Sequence, residues 1–79
     1  MTELKIRLAS IDDVKNFVGI VMRFNCEVDV VSGRYIVDAK SIMGLFSLDL
    51  SKPLLLKINS AEETVIEDIK DSLKQFVVD

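Results

Sequence analysis

Within 79 residues the hydrophobic pattern switches repeatedly between a period of two and a period near 3.6, and this alternation leaves few folds open. Leu4, Ile6 and Leu8 alternate with Lys5 and Arg7, as expected of a strand with one buried face. From Ile11 the spacing becomes helical: Ile11, Val14, Phe17, Val18, Val21 and Met22 form one apolar stripe through about residue 24. Val28 and Val30 then alternate with Glu27 and Asp29, Ser32-Gly33 supplies turn chemistry, and Tyr35, Val37 and Ala39 alternate with Arg34 and Asp38, which predicts a hairpin. A short apolar run, Ile42 to Phe46, is followed by Ser51-Lys52-Pro53 and a fourth strand on Leu54, Leu56 and Ile58, with the proline at its start or on an edge. Val65, Ile66, Ile69, Leu73 and Phe76 form the stripe of a last helix reaching about residue 77. The order is βαββαβα. One mainly antiparallel sheet with all helices on a single face satisfies it most simply, an α+β architecture.

Helix starts are marked by serines. Ser10, followed by Asp12 and Asp13, predicts an N-cap with two carboxylates at the positive end of the helix dipole. Ser60 to Glu63 has the form of a capping box for the last helix. Ser41 predicts a third cap, before a helix of only one or two turns. Helices below about 12 residues are marginal in water, so this one depends on packing. With side chains about 100° apart, Ile42 or Leu45 points inward while Met43 and Phe46 lie nearer the rim. Gly19 costs the first helix roughly 1 kcal/mol relative to alanine, and a close approach of helix to sheet is the expected reason for it.

Composition narrows the functional classes. The length predicts a single domain over residues 1–79. A net charge of −3 with scattered basic residues argues against nucleic acid and anionic membranes as partners. No apolar run approaches the roughly 20 residues of a transmembrane helix, and no export signal is evident, so a reducing cytoplasm is the expected compartment. The chain has one cysteine, Cys26, and no histidine. That removes the commonest general base and leaves no zinc site; no metal or cofactor is expected. The acidic pairs Asp12-Asp13 and Glu62-Glu63 fall in first turns, where acids are favoured without any catalytic role, so the chain does not read as an enzyme. Cys26 reads as a small, at least half-buried strand residue.

The stretch Lys40-Ser41-Ile42-Met43-Gly44, followed by a hydrophobic pair and Ser47-Leu48, resembles the second-helix motif of HPr, the small phosphocarrier of the bacterial sugar phosphotransferase system. The resemblance implies the βαββαβα fold with strands in the order 1-4-2-3, and it implies that Ser41 is the site of a regulatory kinase. HPr carries phosphate on a histidine at the start of its first helix, within Gly-x-His-Ala-Arg-Pro. An ungapped register back from Ser41 places Ser10 at the histidine, Asp12 at the arginine and Asp13 at the proline. A phosphoserine ester is a poor donor for phosphoryl relays. Asp12 in place of arginine adds repulsion, roughly 1 kcal/mol for two anions about 4 Å apart in water.

Each marked residue keeps two readings. Ser10 is an ordinary cap or a new phosphoacceptor; Ser41 is a cap, with or without regulatory phosphorylation. Ile42, Met43 and Phe46, with Asp12, form a partner-binding patch or simply pack at the rim. The resemblance points to an HPr-like regulatory or protein-binding module that has lost phosphotransfer, as in the catabolite-repression type of paralogue, with an HPr kinase or a transcriptional regulator as partner. The alternative is an interaction scaffold on the same fold, unconnected with sugar transport. The oligomeric state is left open.

Overall fold

The computed structural model describes residues 2–78. Its elements are β1 (Thr2–Ile6), α1 (Ile11–Val21), β2 (Glu27–Ser32), β3 (Tyr35–Asp38), α2 (Ile42–Phe46), β4 (Leu54–Asn59) and α3 (Glu63–Ser72), with a closing 3-10 turn at Lys74–Phe76. The sheet runs β1-β4-β2-β3 and every pairing is antiparallel. Both the α+β class and the 1-4-2-3 order match the expectation.

The register shows why period two fixes the arrangement. Leu4 lies opposite Leu56, Ile6 opposite Leu54, and Val30 opposite both Leu56 and Val37, so the apolar sets of neighbouring strands share one face. A slip of one residue would turn each set outward. The helices cover that face with Val14, Phe17, Val18 and Val21 of α1, Leu45 of α2, and Ile66 and Ile69 of α3, all in one buried cluster with the strands. Phe17 meets Phe76 edge to face, with ring centroids 5.9 Å apart. Each such buried side chain contributes roughly 1.5–3 kcal/mol by leaving water. Pro53 immediately precedes β4, so the missing donor is kept out of a central strand.

Several local expectations are corrected. α1 ends at Val21, not near residue 24; Met22 is its exposed C-cap, and Phe24 packs against the core after the turn. Ile11 is 62% exposed, because the first side chain of a helix leans back toward the N-terminus, away from the core. Tyr35 is also exposed, at the hairpin end of an edge strand. The box at Ser60 does not form: the Ser60 hydroxyl accepts the Glu62 N–H at 3.2 Å as a local turn, and α3 begins only at Glu63 with no side-chain cap. Cys26 is half-buried in the bend before β2 rather than within the strand. Gly19 is exposed, and a Cβ there would meet nothing within 4 Å, so no close approach explains it. The glycine that does need its missing side chain is Gly44, where a Cβ would lie 3.1 Å from Ser41 Oγ and 3.2 Å from Val37 Cβ.

Candidate functional site

The residues singled out in the sequence lie at the N-terminus of α1 and along α2, two helices that pack against one another. At α1, the Ser10 hydroxyl accepts the Asp13 N–H at 3.1 Å, and the Asp13 carboxylate accepts the Ala9 N–H at 2.9 Å. Two donors at the start of the helix are thus satisfied reciprocally, as a serine and an acid three residues apart allow. Asp12, between them, is exposed and has no ion-pair partner among the described residues.

At α2, the half-buried Ser41 has extended backbone (φ −99°, ψ 103°), and its hydroxyl accepts the Gly44 N–H at 3.1 Å. The other end of this five-residue helix is closed by Ser47, whose hydroxyl donates to the Gly44 carbonyl at 2.6 Å. The helix is held to its surroundings at two further points. Gly44 lets the backbone approach Val37 of β3, and Lys40 extends its ammonium to the Phe24 carbonyl at 2.7 Å, beyond the end of α1. A cation at a helix C-terminal end is favoured by the dipole and satisfies an orphan acceptor. Neither contact has a direct sign in the sequence; both depend on the tertiary placement of α2.

With α2 so placed, Leu45 is fully buried and Ile42 half-buried, while Met43 is 77% and Phe46 40% exposed. Met43 and Phe46 therefore lie outward, as the helical spacing implied. Sequence reasoning assigned Ile11 to the core stripe and so missed a further exposed apolar side chain directly after Ser10. Among the described residues no hydrogen bond or ion pair joins the Ser10–Asp12 turn to α2. No group of three His, Cys, Asp or Glu side chains there is placed to hold a metal ion. One carboxyl of the neighbouring loop is tuned. Asp49 is held below its ordinary value, first by the Ser51 hydroxyl, then by the Ser51 N–H, with a smaller contribution from Lys52 against partial desolvation.

Comparison with known proteins gives the same direction. Residues 12–77 match the family model described as the PTS HPr component phosphorylation site, a span that begins two residues after Ser10. Among solved structures, HPr-C-His from Thermoanaerobacter tengcongensis superposes with a TM-score of 0.75 at 26% identity, over 95% of this chain and 93% of that one. The catabolite repression protein Crh of Bacillus subtilis, solved as an intertwined dimer with a swapped domain, gives 0.65 at 25% identity over 94% and 88%. HPr from Bacillus anthracis gives 0.65 at 18% identity over 90% and 94%, a likeness of fold. No curated protein matches the chain.

Proposed function

Because the chain belongs to the HPr family of the phosphotransferase system, we propose that it is a regulatory or protein-binding member of that family and not a phosphohistidine carrier. The family's proteins are phosphocarriers rather than catalysts and act on protein partners; this chain contains no histidine to carry a labile phosphorus–nitrogen bond. Ser10, which the register places at the histidine, has its hydroxyl engaged as the cap of α1, and Asp12 reverses the charge of the arginine that the family's motif has there. Residues 1–79 form one HPr-like domain acting in the cytoplasm, without catalysis of its own. No helix among the described residues is long and apolar enough to cross a membrane.

The observation that carries the binding role is α2, a helix anchored through Ser41, Gly44 and Lys40 that leaves Met43 and Phe46 outward. Ile42, Met43, Phe46 and Asp12 form the proposed partner-facing set, with Ser41 as the regulatory phosphorylation site. Phosphate on Ser41 would add a charge of about −1.5 to −2 beside an apolar patch, and its oxygens would replace the hydroxyl as acceptor for the Gly44 N–H. Lys40 is already committed to Phe24, so the new charge is left for a partner's Arg or Lys to meet. An HPr kinase and a transcriptional regulator are the partners this reading calls for.

Two assays test it. Incubation with enzyme I and phosphoenolpyruvate is expected to leave the intact mass unchanged; an acid-labile adduct of one phosphate in good yield would overturn the non-carrier reading. Incubation with HPr kinase and ATP is expected to add one phosphate, lost in Ser41→Ala, and to increase binding to a catabolite-control regulator, with Phe46→Ala weakening that binding. No phosphorylation of a folded protein by the kinase ends the regulatory reading and leaves the interaction scaffold.

A further inference from the structure

The two edges of the sheet are treated differently. The outer edge of β1 is covered: the Arg7 N–H donates to the Phe76 carbonyl at 2.8 Å, the Val78 N–H donates to the Lys5 carbonyl at 2.9 Å, and Ile6 bridges Val77. Among the described residues nothing pairs with the outer edge of β3. Of the devices that guard an open edge, β3 has only its shortness and the charge of Asp38. Tyr35-Ile36-Val37-Asp38 contains no lysine and no proline, and Tyr35 and Ile36 are 69% and 65% exposed.

Which backbone groups are free follows from the hairpin. Gly33 and Arg34 form a two-residue loop closed by the pair Ser32 and Tyr35, and Gly33 supplies the positive φ of +57° that such a tight reversal needs. The Ala39 N–H donates to the Val28 carbonyl at 2.9 Å, continuing the same alternation. Tyr35, Val37 and Ala39 therefore turn their N–H and C=O groups to β2, whereas those of Ile36 point out of the sheet. On the face opposite the helices, Ile36 lies in register with half-buried Val31 and, beyond it, Leu55, an apolar row that ends at the open edge. In the next row Asp38 lies directly opposite Asp29. Asp29 has Lys57 on its other side in register, while Asp38 has no cation and Arg34 no anion within ion-pair distance among the described residues. One Asp38 carboxylate oxygen accepts the Lys40 N–H at 2.8 Å, but like charges opposite one another destabilise a sheet, so a cation beside Asp38 is still favoured.

The strand is self-complementary when read antiparallel. We propose that β3 pairs with β3 of a second copy about a two-fold axis at Ile36, joining the two four-stranded sheets into one continuous sheet. The free N–H and C=O of Ile36 exchange hydrogen bonds with those of the second Ile36. Tyr35 lies against Val37 of the second copy, an aromatic and β-branched pair. Arg34 lies against Asp38 of the second copy, so both unpaired charges of each chain are met at once by the symmetry. The apolar row from Leu55 through Val31 and Ile36 then continues across the axis instead of ending in water. The contact is short, so association is weak and reversible, and it leaves α2 free on the other face of the sheet.

Sedimentation equilibrium from low micromolar to millimolar concentration tests this, together with amide NMR spectra across the same range. The wild type is expected to rise from monomer toward dimer mass, with concentration-dependent shifts confined to Arg34–Asp38 and their β2 neighbours. Ile36→Lys is expected to stay monomeric with unchanged thermal unfolding, since its side chain is exposed in the monomer. Arg34→Asp is expected to weaken association by about tenfold, because symmetry counts the new repulsion twice, and adding Asp38→Arg to it to restore the affinity. A wild type that remains monomeric at millimolar concentration overturns the proposal. So does a dimer insensitive to Ile36→Lys, or one whose amide shifts map to β1 or α2.

Discussion

Gly19 and Gly44 both lie inside helices, and the structure assigns opposite signs to the same substitution at the two. At Gly19 the added methyl meets nothing within 4 Å and the side is open to solvent. The φ there is not positive, so alanine adopts the native backbone without strain. Gly19→Ala should therefore gain the helix-propensity difference, about 0.5–1 kcal/mol, much of it through loss of freedom in the unfolded chain. For a domain of this size 1 kcal/mol raises the melting temperature by roughly 4–8 °C. At Gly44 the same propensity gain is opposed. A Cβ 3.1 Å from Ser41 Oγ and 3.2 Å from Val37 Cβ forces the cap and the strand apart; a lost cap costs about 1 kcal/mol and crowding typically about 1–3 kcal/mol. Gly44→Ala should therefore be destabilised by about 1–3 kcal/mol. Thermal and urea unfolding of both variants beside the wild type decides the matter. Equal effects at the two positions would refute the packing argument, and a destabilised Gly19→Ala would mean that α1 meets something on its outer face or bends at Gly19.

Ser41→Ala should lose about 1 kcal/mol in urea unfolding, because the Gly44 N–H loses its acceptor at a half-buried position. Lys40→Met should cost roughly 1–2 kcal/mol by the same measurement, since it keeps much of the stem but removes the charged bond to the Phe24 carbonyl. Phe17→Ala, at a fully buried ring in contact with Phe76, should cost about 3–5 kcal/mol. In an NMR pH titration the Asp49 carboxyl should titrate below its usual midpoint and return toward it in Ser51→Ala, as the leading cause of the depression is the Ser51 hydroxyl. A depressed carboxyl stabilises the folded state above its unfolded pKa and loses that contribution as pH falls through the folded value.

Much of the fold was legible because one buried face per element was enough to identify each element and its period. Val28, Val30, Leu54, Leu56 and Ile58 are all buried as their alternation required. The errors cluster where local chemistry competes with that pattern. Ser60 hydrogen-bonds to Glu62 two residues on, which fits a turn as well as a cap, and the helix starts later. Met22 continues the helical spacing of α1, yet the helix stops at Val21 and Phe24 packs against the core instead. Tyr35 has the right parity for the inner face but lies on the short edge strand, beyond the reach of the core.

The candidate site was legible in a different way. Its caps are local and were readable: Ser10 and Ser41 each accept the N–H three residues ahead, as the sequence implied. Its setting is not local. Whether Met43 and Phe46 were buried or presented depended on how α2 is seated, and that is fixed by Gly44 against Val37 and by Lys40 against Phe24, partners 7 and 16 residues away in the chain. Neither contact has a periodic signature, since one is an absent side chain and the other a single long cation. The same two contacts separate stability from recognition. They hold α2 from its inner side and its N-terminal approach, so Met43 and Phe46 can change to suit a partner without loosening the helix that presents them. A helix too short to stand alone thus owes its shape to residues that face inward and leaves its outward residues free for binding.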